Sequence, residues 1–157
     1  METQPVTHNT FVIERTYSTT PERVFAALAD PAKKRRWFAE GQTHAVEQFE
    51  MDFRVGGTER VQSRFKAGSP FPGVTLTNDS IYLDIVPVRR VVISSTMALG
   101  DKRFSASLAT FELVPKENAT NLIFTHQGAF FEGADGPEIR KAGWTSLLNR
   151  LSEALAE

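Results

Sequence analysis

Residues 137–155 read PEIRKAGWTSLLNRLSEAL, and this stretch decides the fold. Trp144, Leu147, Leu148, Leu151 and Leu155 fall at i, i+3, i+4, i+7 and i+11, an apolar stripe on one side of a helix about five turns long. Pro137 suits the first turn, where its missing N–H would have no intrahelical partner. A stripe of that length has to be covered, so the chain before it must supply a matching surface.

The preceding ninety or so residues supply one. From 41 onward the segments near 43–55, 58–66, 75–86, 90–99, 103–114 and 121–131 carry β-branched or aromatic alternation, which predicts strands. Turn-forming text separates most of them: Gly56-Gly57, Gly68-Ser69-Pro70-Phe71-Pro72-Gly73, Pro87, Gly100-Asp101 and Lys116-Glu117-Asn118. Consecutive strands with short connections predict an antiparallel meander. Further out, TFVIERTYS at 10–18 predicts a first strand. Thr19-Thr20-Pro21-Glu22 then reads as a helix start, with Val24, Phe25 and Leu28 on one face and a stop at Asp30-Pro31. A second short helix is expected from Ala32 to Ala39, and residues 1–9 are expected to be flexible. The whole predicts a single α+β domain over 1–157: a seven-stranded curved antiparallel sheet wrapped around a long C-terminal helix, with two short helices between strands 1 and 2. Where a twisted sheet and the helix diverge, a gap lined by apolar side chains would hold a small hydrophobic ligand.

Composition narrows the function classes. The 157 residues contain 18 Lys+Arg against 19 Asp+Glu and no cysteine, which removes disulfides, thiolate nucleophiles and cysteine-based metal sites. A near-neutral total offers no net attraction to nucleic acid or anionic membrane, so no nucleic-acid partner is expected. No apolar run approaches the ~20 residues that span a bilayer, so no integral membrane association is expected. Met1-Glu2-Thr3-Gln4-Pro5 lacks the layout of a secretory signal, and a cytoplasmic location is the default.

The order of elements resembles the helix-grip fold of the START-like or SRPBCC superfamily, and the local text is similar to its subgroup named after the activator of the heat-shock-protein-90 ATPase homologue. The residues that carry the resemblance are Ile13-Glu14-Arg15 leading to Pro21-Glu22-Arg23-Val24-Phe25, the Asp30-Pro31 break followed by Trp37, the Asp52-Phe53-Arg54-Val55-Gly56-Gly57 hairpin, and Gly143-Trp144 with Leu147, Leu148 and Leu151. The resemblance implies a cavity between sheet and terminal helix that takes a lipid-like or aromatic small molecule.

Candidate cavity residues are Trp37, Phe38, Met51, Phe53, Phe65, Tyr82, Met97, Phe104, His126, Trp144 and Leu148. Met51 and Phe53 are expected to share a face of their strand, as are Phe49 and Val55, while the parity of the strands relative to the cavity stays open across the Gly56-Gly57 turn, where a bulge could shift it. His126 shares strand parity with Leu122 and Phe124, so it is either a core histidine satisfied by a neighbour or a polar group facing the cavity. Arg54 either pairs with Asp52 or turns inward to hold a carboxylate. Lys33-Lys34-Arg35-Arg36 reads as a solvated helix face, with a phosphate or head-group site as the alternative. Loops 68–73 and 128–136 are candidate gates. No catalytic residue, metal or cofactor is assigned: metal-ligand spacings, a serine elbow and phosphate-binding glycine motifs are all missing from the text. The leading expectation is a non-catalytic binding protein for a small hydrophobic or aromatic ligand, monomeric or homodimeric. Two alternatives stay open, a cyclase, dehydratase or hydrolase acting on an aromatic or polyketide-like substrate, and a chaperone partner or other protein-interaction module.

Overall fold

The computed structural model describes residues 5–41 and 44–157; the expected strand start at residue 43 and residues 1–4 of the expected flexible segment lie outside the described residues. Strand β1 (Thr7–Tyr17) is followed by helix α1 (Pro21–Ala29), helix α2 (Pro31–Lys34) and a π-helical turn (Arg35–Ala39). Six strands then run in succession, β2 (His44–Met51), β3 (Thr58–Phe65), β4 (Thr75–Val86), β5 (Arg90–Leu99), β6 (Lys102–Lys116) and β7 (Ala119–Phe130), before helix α3 (Pro137–Leu155). All seven strands form one antiparallel sheet in the order β1-β7-β6-β5-β4-β3-β2. Each pair from β2 to β7 is a chain-consecutive meander step; only β1 crosses the molecule, pairing from Thr7↔Phe130 to Tyr17↔Thr120. Thr7, His8 and Asn9, expected to be flexible, are therefore the first rungs of that pairing.

The local chemistry follows the text. Thr20 caps α1, its Oγ1 accepting from the Arg23 amide at 3.3 Å, and Asp30 caps α2 by accepting from the amides of Ala32 and Lys33. The expected second helix is regular for one turn only, and its wider π continuation ends where the Glu40 amide donates to the Arg35 carbonyl. At the β2–β3 connection Gly56 holds φ at +84°, and Gly57 has no room for a side chain because a Cβ there would lie 2.1 Å from the Asp52 carbonyl oxygen.

Helix α3 lies in the concavity of the sheet, giving the helix-grip arrangement. Leu148 and Leu151 are fully buried with Val24, Leu28, Phe111 and Phe124, each leucine contributing about 1.5–3 kcal/mol by leaving water. Directional bonds fix the helix position: the Tyr17 hydroxyl donates to the Leu148 carbonyl at 3.0 Å and the Arg23 guanidinium to the Leu155 carbonyl at 3.0 Å. Strand β2 is irregular in its first half. A bulge between Val46 and Gln48 lets His44, Val46, Phe49 and Met51 all pair with the Phe65, Ser63, Val61 and Glu59 positions of β3. The bulge thus brings His44 and Val46 onto the face that Phe49 and Met51 already share, and Val55, beyond the strand, is exposed. No helix among the described residues is long and apolar enough to cross a membrane.

Candidate functional site

The concave face of the sheet changes character row by row, and that change creates the site. Cross-strand register aligns Val91, Phe111, Phe124 and Ile13 in one row, a bulky apolar floor on which Trp144 packs, 4.3 Å between its ring centroid and that of Phe124. The adjoining row is Tyr82, Ile93, Ala109, His126 and Phe11. The row after that is Glu59, Ser80, Ser95, Ser107 and Gly128. Side chains as short as Ser and Gly cannot reach α3, so the two layers separate there.

Two abutting spaces result. A larger cavity of about 340 Å³ is bordered by the sheet residues Val61, Leu76 and Met97 and by Phe38, Trp144 and Leu147. A smaller chamber of about 30 Å³ lies deeper, against Ser80, Ser95, Ser107, His126 and the charged groups Lys34, Glu59 and Arg140. Phe38, Asn78, Met97, Arg140 and Trp144 line both spaces. The outer cavity is thus mainly apolar, and polar and charged side chains gather at its inner end among further apolar ones.

The charges at that inner end are paired. Lys34 Nζ donates to Glu59 Oε1 at 2.7 Å, with both side chains almost completely buried, and the Tyr82 hydroxyl donates to the same oxygen at 2.6 Å. Burial, then the Glu59 charge and the hydrogen bond to it, push the Tyr82 pKa up, so its proton stays in place. Lys34 also sits over the Phe38 ring, 4.7 Å from its centroid. On the opposite wall Arg140 makes a two-pronged contact with Asp135, Nε to Oδ2 at 2.7 Å and Nη2 to Oδ1 at 2.9 Å. Its Nη2 also donates to Ser105 Oγ at 2.9 Å.

His126 is 1% exposed, stacked on Phe11 with ring centroids 4.7 Å apart. Its Nδ1 is buried with no hydrogen-bond partner among the described residues. Burial first, and then the Arg140 guanidinium, push its pKa down to about 4 against an opposing pull from Asp135, so the ring is neutral at pH 7. An unfolded histidine titrates near 6.5. Between these values the unfolded chain binds the extra proton, so this contribution to stability is complete above pH 6.5 and is lost as pH falls toward 4. Urea unfolding at pH 7.5 and 4.5 should show lower stability at 4.5, and His126→Phe should narrow the gap. An unchanged gap in the variant would exclude His126 as its source.

The structure sorts the expected cavity residues by position. Phe38, Met97 and Trp144 line both spaces and His126 lines the inner one. Trp37, Tyr82 and Leu148 are buried core: the Trp37 indole is held by the Ala27 carbonyl at 2.9 Å, and Leu148 belongs to the seam that carries α3. Met51 and Phe53 pack against the core from outside the cavity, Phe53 between the rings of Phe25 and Tyr82. Phe65 lies against Phe71 and His44, and Phe104 against the Arg140 guanidinium. Arg54 does not turn inward. Its side chain is 72% exposed and paired with Asp52 at 2.7 Å, because it sits on a tight turn outside the sheet. Within the basic run Lys33, Arg35 and Arg36 are exposed as a solvated face would be, but Lys34 is buried and corrects that reading.

Glu59 and Arg140 escaped the sequence reading, which gives Lys34 as a surface charge, yet each left a signal. Lys34 precedes Trp37 and Phe38 by three and four residues, the spacing of one helical face. Glu59 alternates with Val61 and Phe65. Arg140 stands one turn ahead of Trp144 on the apolar stripe. In each case charge outweighed periodicity.

Known proteins share this architecture. A protein from Rhizobium loti, Mll3558, is similar at 45% identity and a TM-score of 0.84, over 96% of this chain and 99% of that one. An uncharacterized protein from Rhizobium leguminosarum is similar at 34% identity and a TM-score of 0.89, over 97% of each chain. The CV1439 protein from Chromobacterium violaceum is similar at 25% identity and a TM-score of 0.78, over 95% of this chain and 98% of that one. No curated protein matches the chain in sequence. The family model described as "Activator of Hsp90 ATPase homolog 1-like protein" matches residues 18–156, most of the chain and every element from α1 to α3, and the chain belongs to that family.

Proposed function

We propose that the chain is a cytoplasmic, non-catalytic binding protein that holds one small hydrophobic molecule between the sheet and α3. The observation that carries this reading is the cavity of about 340 Å³, within the size range of small-molecule sites, with an apolar wall and few polar groups at one end. Met97 adds an adaptable surface to that wall. The non-catalytic part rests on the inner end: both cations there are committed to carboxylates, and no partner among the described residues orients the Nδ1 of His126 as a catalytic base would require.

Gly143 provides the test. It lines the cavity from α3, and a Cβ placed there would meet nothing within 4 Å. Gly143→Leu therefore directs a branched side chain into open space while improving the helix by up to about 1 kcal/mol. The wild type should bind the neutral dye N-phenyl-1-naphthylamine one to one, by fluorescence and native mass spectrometry. The variant should bind it at least about tenfold more weakly with an undiminished urea midpoint. Equal binding by the two proteins, or none by the wild type, would remove the cavity reading.

A further inference from the structure

We propose that the inner chamber selects ligands whose polar end is a single uncharged oxygen, a hydroxyl or a carbonyl, and discriminates against carboxylates. This rests on the outer cavity being the ligand site and adds which end enters first and what chemistry it carries.

Three independent features lead there. The first is size. A chamber of about 30 Å³ has room for roughly one or two water-sized groups, which suits one oxygen on a chain better than the branched head of a carboxylate. The second is charge. Lys34 is bonded to Glu59 at 2.7 Å, and Arg140 makes its two-pronged contact with Asp135, so each cation lining the chamber is matched by a carboxylate, Glu59 in the chamber wall and Asp135 in the wall of the outer cavity. A carboxylate entering from the outer cavity would lose its hydration, pass Asp135, face Glu59 and find each cation already matched by an anion of its own. The third is hydrogen bonding. Ser80, Ser95 and Ser107 stand side by side on three neighbouring strands, the first two with their oxygens 2.7 Å apart. Hydroxyls rotate to donate or accept as required. Asn78 adds both functions from the shared wall, and His126, also in the wall, has a buried nitrogen without a partner. This set satisfies a neutral oxygen in either role and offers no uncommitted charge to neutralise an anion.

The test is displacement of bound N-phenyl-1-naphthylamine at pH 7.5 by 1-decanol, decanoate and 1-chlorodecane, ligands of similar length that differ at one end. Decanol should displace the dye at a concentration at least about tenfold lower than decanoate. Because any apolar cavity disfavours an ionised acid, the deciding comparison uses the Ser95→Ala, Ser107→Ala double variant. There decanol should weaken about fivefold, while 1-chlorodecane and the dye keep their wild-type affinities. Decanoate binding as tightly as decanol, or a parallel change for decanol and chlorodecane in the variant, would overturn the head-group assignment and leave the cavity reading standing. Dye binding with no displacement by decanol would do the same. Failure of the dye itself to bind would remove both.

Discussion

Replacing Lys34 by Met is expected to lower the unfolding free energy by about 3–5 kcal/mol, the usual result of removing one member of a buried ion pair. Lys34 and Glu59 are the two most deeply placed charges of the site, with side chains 5% and 1% exposed. Methionine keeps the length and much of the packing of the lysine stem against Phe38 and Tyr82, which lie beneath the ammonium. The loss therefore reports the carboxylate left behind, to which the Tyr82 hydroxyl still donates. Adding Glu59→Gln to Lys34→Met removes that stranded charge, and the double variant should recover most of the loss. Urea unfolding of the wild type and these two variants measures both quantities. A single-variant loss below about 1 kcal/mol would mean that the pair behaves like one at the surface.

Trp144→Ala should cost a similar amount, about 3–5 kcal/mol. The indole touches three rings, with centroid separations of 4.3 Å to Phe124, 5.7 Å to Phe38 and 6.0 Å to Phe111, and so joins α3 to the floor of the sheet and to the π-helical turn. It also borders both spaces, so its removal should merge them. Stability measured by urea should fall while the number of dye molecules held per chain stays at one or rises. A loss below about 1 kcal/mol would show that α3 is seated by its leucines alone.

Much of this fold was legible because its signals are local. Strands β4 and β5 span 75–86 and 90–99 as the alternation and the Pro87 turn predict, and α3 begins at Pro137. The short helical segment was less legible, since a widened turn at Arg35–Ala39 has no distinctive text. The site was legible only in part. The expected cavity residues are mainly aromatic, yet the inner chamber is bordered by Ser80, Ser95 and Ser107 as much as by Phe38, Phe111 and Trp144. A serine on a strand carries no outward sign of facing inward until register sets it opposite another, as with Ser95 between Ser80 and Ser107. Register is a relation between distant segments, and for the same reason the Lys34–Glu59 pair, twenty-five residues apart, could not be read from either residue alone.

The crossing of β1 to β7 bears on the order of events during synthesis. Strands β2 to β7 meet their partners as each successive hairpin emerges, so the meander can assemble while translation continues. Strand β1 leaves the ribosome first but finds its partner only when residues 119–130 have followed, and the Tyr17 hydroxyl waits further still for Leu148. Closing that long loop is the high-contact-order step of the topology. Although it emerges before the other six strands, β1 is thus the last of the seven to be placed, and until then the flank of β7 stays open to any extended strand that passes.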